Sequence, residues 1–157
     1  MSFVLAHLSD PHIGPLPPPG WRELAGKRLT GYWNWHTSRH AIHNMDVLGT
    51  IATDLAAERP DHIALSGDLV NLGMAAEFAL AARHVLPLAP PEQMSIVPGN
   101  HDAYVPGALD LMADPFAPFM TGDDGRAGFP YLRRRGPVAL IGLSSAIPTL
   151  PFLASGA

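Results

Sequence analysis

The sequence predicts an α/β fold, a parallel or mixed sheet with flanking helices. Three observations point there. Short apolar runs at 3–8, 62–65 and 94–97 are each cut off by Gly, Pro, Asp or Asn. Stretches with helical character, at about 38–58 and 75–86, lie between them. An alternation of strand, helix, strand, helix, strand builds parallel sheets with right-handed crossovers.

In chain order, 3–8 (FVLAHL) reads as a first buried strand. The segment 14–20 (GPLPPPG) suits neither helix nor sheet ladder and is loop. The stretch 21–40 reads as a loop region dense in Trp21, Tyr32, Trp33 and Trp35, with Arg22, Lys27, Arg28, His36 and Arg39 among them. Two roles fit it equally: a lid packed on the domain, or a substrate rim that stacks on a base and neutralises phosphate. Ser38 is placed to cap a helix running to about Glu58, because Met45, Leu48, Ile51 and Leu55 recur at three- and four-residue spacings. Pro60 ends it. A short buried strand comes next at 62–65. The Ala- and Leu-rich run 75–86 reads as a buried helix stopped by Pro87, and 94–97 as the next strand. Near the C-terminal end, 138–143 reads as a last buried strand. Arg133, Arg134 and Arg135 read as a charged hairpin edge that discourages edge pairing.

The 157 residues, 47% hydrophobic and 15% charged, suit one domain over 1–157. A net charge of −4 gives no surface for duplex nucleic acid, which argues against a nuclease. There is no cysteine, so thiolate and disulfide chemistry is excluded. The uncharged segment 136–157, with three arginines before it, has the flank of a membrane anchor. Gly142, Ser144, Ser145, Pro148 and Pro151 interrupt it, so strand and loop is the better account. With no basic, apolar leader at the start, the expected compartment is cytoplasmic.

The residues just beyond each strand carry the chemistry. After 3–8 comes SDPH, with Asp10 and His12. After 62–65 comes SGD, with Asp68. After 94–97 comes PGNHD, with Asn100, His101 and Asp102. Groups of this kind gather beyond the carboxyl ends of strands in α/β sheets. Carboxylate, carboxamide and imidazole suit Mn, Fe and Zn. Asp10 and His12, two apart on a backbone taken as extended, point to one side. Asp68 has two oxygens with which to bridge two ions. Asn100 offers a neutral oxygen that limits the negative charge.

The ordered set Asp10-x-His12, Gly67-Asp68 and Gly99-Asn100-His101-Asp102 resembles the calcineurin-like metallophosphoesterase family, and within it bacterial cyclic-nucleotide-phosphodiesterase-like members. The resemblance implies a helix–sheet–sheet–helix sandwich. It implies a hydrolase in which a hydroxide bridging two divalent ions (Mn, Fe or Zn) attacks phosphorus in a phosphoester, a diester first and a nucleotide-like one second. Asp10, His12 and Asp68 would hold one ion, and Asp68 and Asn100 the other. His101 would face the phosphate or the leaving oxygen, and Asp102 would orient His101 and favour its protonated form. The family pattern continues with later Gly-His and Gly-His-x-His, whereas no histidine lies beyond His101 here. The domain is therefore expected to be the N-terminal part, incomplete at its C-terminus. Two rival readings remain: a non-catalytic truncated remnant or interaction module binding at most one metal, and a membrane-associated protein using the tail and the aromatic loop. Among the other histidines, His40 and His43 read as a solvated helix face, His84 as helix surface, and His7 and His62 as satisfied residues of the core or layer edge.

Overall fold

The computed structural model describes residues 2–38, 42–151, 153, 155 and 156. Strands β1 (Leu5–Ser9), β2 (His62–Ser66) and β3 (Met94–Val97) form a parallel sheet in the order β1-β2-β3. Leu5 pairs with His62 and Ile63 with Met94. Four helices accompany them: α1 (Lys27–Thr37), α2 (Met45–Glu58), α3 (Ala75–Val85) and α4 (Ala108–Phe116). The α/β architecture expected from the alternation is the one observed. A separate antiparallel hairpin, β4 (Tyr131–Arg135) with β5 (Val138–Gly142), completes the described elements.

Strand alternation sends Ala6, Leu8, Ile63, Leu65, Met94 and Ile96 to one face, where they meet Leu55 of α2, Phe78, Ala81 and Val85 of α3, and Met112 and Phe116 of α4. α2 and α3, each lying in sequence between two neighbouring strands, both pack on that same face. The register, Ser9 opposite Ser66 and Ser66 opposite Val97, holds the C-terminal ends of the three strands at one level. The hairpin docks on the far side of β3, where the Tyr131 hydroxyl donates to the Ile96 carbonyl at 2.9 Å.

Several expectations need correction. β1 is an edge strand whose residues are half-buried or exposed, because only β2 pairs with it. The aromatic stretch is not all loop, since Lys27–Thr37 is α1. Ser38 does not open α2; it ends α1, donating its amide to Asn34 O, while Asn44 caps α2 by accepting from Asp46 N at 2.8 Å. β5 is not buried throughout, and Ile141 on its outer side is 66% exposed. Arg133 is not a surface edge residue. It is 3% exposed and spends its guanidinium on the carbonyls of Thr121, Pro91, Met94 and Pro118. Arg39 and His40 lie outside the described residues.

His62 illustrates how the far face is held. Its ring is fully buried, with Nε2 2.8 Å from Ser95 Oγ and Nδ1 making no hydrogen bond among the described residues. Burial first, then the charges of Arg135 and Arg133, lower its pKa to about 4. The unfolded chain therefore binds this proton between about pH 4 and 6.5 and the folded chain does not, so this contribution to stability is lost as pH falls through that window. Urea unfolding at pH 7 and pH 4.5 should show the native chain losing about 2–3 kcal/mol more than a His62→Gln variant. Equal losses in the two proteins would rule out this linkage.

Candidate metal centre

The three loops that leave the sheet are laced together by backbone. Beyond β1, Asp10 N donates to Gly67 O (3.1 Å), His12 N to Asp68 O (3.0 Å) and Ile13 N to Leu69 O (2.8 Å). The first two loops thus stay paired past the end of the sheet. The chain from Asp10 to His12 is not extended. Asp10, His12 and Asp68 have φ of 53°, 39° and 52°. Non-glycine residues in this region are uncommon and collect at functional sites. Two glycines let the second and third loops touch. A Cβ on Gly67 (φ 74°) would lie 2.7 Å from the Gly99 backbone, and one on Gly99 would overlap the Asp68 carboxylate.

Asp68 is at the centre. Its Oδ1 accepts the His101 amide at 2.8 Å, and its Oδ2 lies 3.8 Å from His12 Nε2. His12 Nδ1 sits 3.2 Å from Val70 O, which holds that nitrogen as the donor and leaves Nε2 as the ligating atom. His101 Nδ1 is fixed in the same way, 2.6 Å from Asn71 O. Ligand atoms of His12, Asp68 and His101 all lie within 4.8 Å of one another. Asp10, Asp68 and Asn100 line one hollow of about 330 Å³. Of the predicted ligands, His12 and Asp68 fall in the close cluster, which His101 joins, while Asp10 and Asn100 share the adjoining hollow with Asp68.

Asp102 does a different job from the one expected. Its Oδ1 accepts from Leu69 N (2.9 Å) and Val70 N (3.2 Å), and its Oδ2 from Gly99 N (2.9 Å). It clamps the second loop to the third, and the contact that orients His101 comes from Asn71 O. Burial, aided by the nearby Asp68 charge, raises the Asp102 pKa to about 7 against the pull of those amides.

Three supporting residues carry little or no sequence signal. Glu77, 1% exposed in the first turn of α3, accepts from the amides of Asn71, Leu72 and Met74, and so shapes the segment that offers Asn71 O to His101. An acid at the third helical position is the one available sign of it. His43 is not on a solvated face: its ring centre is 4.4 Å from that of His12. Tyr104 stacks on His101 at 5.5 Å and 18°, with Lys27 Nζ 4.4 Å from the centre of the Tyr104 ring. The contacts of His43 with His12 and of Lys27 with Tyr104 join distant parts of the sequence and leave no local pattern.

Comparison with known proteins agrees with this geometry. One curated relative is a glycerophosphodiester phosphodiesterase, GpdQ, of Enterobacter lignolyticus (strain SCF1), which is 30% identical over 100 residues. The match covers 64% of this chain and 30% of that protein, so the chain spans about three tenths of the relative's length. The family profile described as calcineurin-like phosphoesterase matches residues 3–149. Three laced strand-end loops carrying the family's ligand types, and a profile match over almost the whole chain, place this protein in the calcineurin-like phosphoesterase family.

Proposed function

We propose that this chain carries the phosphate-facing half of a metal-dependent phosphodiesterase centre. The observation that supports this reading most is the convergence of His12, Asp68 and His101 on one point, each imidazole oriented by a backbone carbonyl. Of these, the His12 Nε2, its tautomer fixed, and the Asp68 carboxylate are donors that fit Mn, Fe or Zn, and His101 stands beside them to face the phosphate. Asp10, His12 and Asp68 would hold one ion, and Asp68 with Asn100 a second. When bound, such ions supply Lewis acidity and a nucleophile at neutral pH.

The chain's own residues do the rest. Asp68 joins the two halves of the centre. Asn100 contributes a neutral donor beside a site already rich in carboxylate. As the imidazolium, His101 would keep its Nδ1–H on Asn71 O and give its Nε2 proton to the departing oxygen. The relative's name speaks of glycerophosphodiesters, which supports a diester as the substrate class.

The test is hydrolysis of bis(p-nitrophenyl) phosphate by the chain in Mn²⁺, with bound metal counted by elemental analysis. The expected result is turnover that stops with chelator and falls about 100-fold or more in His101→Ala, while the variant still binds metal. Absence of bound metal, or turnover indifferent to His101→Ala, would overturn the proposal.

A further inference from the structure

A cleft of about 950 Å³ opens beside the centre, with Asn100 and His101 on its floor and α1 as its wall. That volume is at the upper end for small-molecule sites. Polar contacts fasten α1 there. Arg28 donates to Leu72 O (3.0 Å) and Gly73 O (2.6 Å), and Lys27 Nζ to Thr149 Oγ1 (2.9 Å). Gly31 permits the close approach, since a Cβ there would lie 2.6 Å from Leu72 and overlap the Tyr104 hydroxyl. This mounting leaves Trp33 lining the cleft yet 74% exposed. Trp35 and Tyr104 add two more aromatic surfaces, and no carboxylate lines the cleft among the described residues. Lys27 stands in a stack with Tyr104 and His101, ring to ring toward the metal centre.

Resting on the phosphodiester reading above, we propose that this cleft is the subsite for one ester group of the substrate, that this group is flat and aromatic, that Trp33 selects it, and that Lys27 strengthens binding of the phosphate whatever the ester. An exposed indole beside a reacting phosphate is a platform for a ring, whereas a small polyol would leave it unmatched. Stacking of a base on an aromatic side chain contributes about tenfold or more to affinity. Lys27 supplies the only formal positive charge among the described residues lining the cleft, placed to offset the phosphate's charge. Trp33 is thus a specificity-determining residue and Lys27 a general phosphate-binding one, neither with a part in the bond-breaking step.

The experiment is calorimetric titration of the Mn²⁺-loaded chain with phenyl phosphate and with methyl phosphate, two monoesters of equal charge. Phenyl phosphate is expected to bind about tenfold tighter or better. Trp33→Ala should remove most of that preference and Trp33→Phe restore part of it. Lys27→Met should weaken both ligands. Equal affinity for the two esters, or a preference that survives Trp33→Ala, would overturn the subsite while leaving phosphate binding in place. Failure of both esters to bind the metal-loaded chain would instead overturn the phosphoester reading, and the subsite with it.

Discussion

Asp68→Asn is expected to lower Mn²⁺ affinity by at least about 100-fold, more than the 10–100-fold seen when only an outer partner of a ligand is lost. Asparagine tolerates the left-handed backbone at this position (φ 52°) and keeps an oxygen for the His101 amide 2.8 Å away. What it removes is the negative charge facing His12 Nε2 at 3.8 Å. The variant therefore isolates charge from folding, and circular dichroism should be unchanged. Equilibrium dialysis with elemental analysis gives the affinity. An unaltered value would mean that the ion is held by other residues.

The second large effect lies far from the metal. Arg133→Met should destabilise the fold by about 3 kcal/mol or more, since each buried carbonyl left without its donor costs about 1–3 kcal/mol. The guanidinium reaches the carbonyls of Thr121 (2.8 Å), Pro91 (2.6 Å), Pro118 (2.7 Å) and Met94, joining the hairpin to β3 and to the turn after α4. Methionine fills the space and leaves four acceptors short of a donor. Arg133→Lys should rescue little, because one ammonium cannot span the fork that reaches all four. A loss under about 1 kcal/mol in urea unfolding would show that water replaces the lost donors.

Arg133 also marks where the sequence stops being legible. Three consecutive arginines look like solvent-facing charge, and nothing local tells that the first of them turns inward. The parallel strands are easier. His62–Ser66 and Met94–Val97 are runs of apolar character cut by Gly or Pro, and the structure places them within a residue of their expected limits. The candidate metal ligands are legible for the same reason, since each stands where a strand gives out. α1 is not. Leu29, Tyr32 and Trp33 are spaced by three and four, but they are mostly aromatic, Gly31 stands among them, and none of the helix's side chains is fully buried. Its helicity comes from polar fastening and from docking on Tyr104, which are tertiary effects. Ser38 and Asn44 are both good capping residues, and only the packing of α1 decides that Asn44 opens α2.

The lacing of the strand-end loops carries a kinetic consequence. His12 is tied to Val70 across 58 residues of chain and His101 to Asp68 across 33, and parallel strands pair only after their crossovers have formed. Contacts of such high sequence separation form late, because loop closure must precede any gain from them. No local fragment of this chain presents two of the three donors in their final relation. A metal ion at this centre would thus be a rivet on a finished frame rather than the template around which the chain folds.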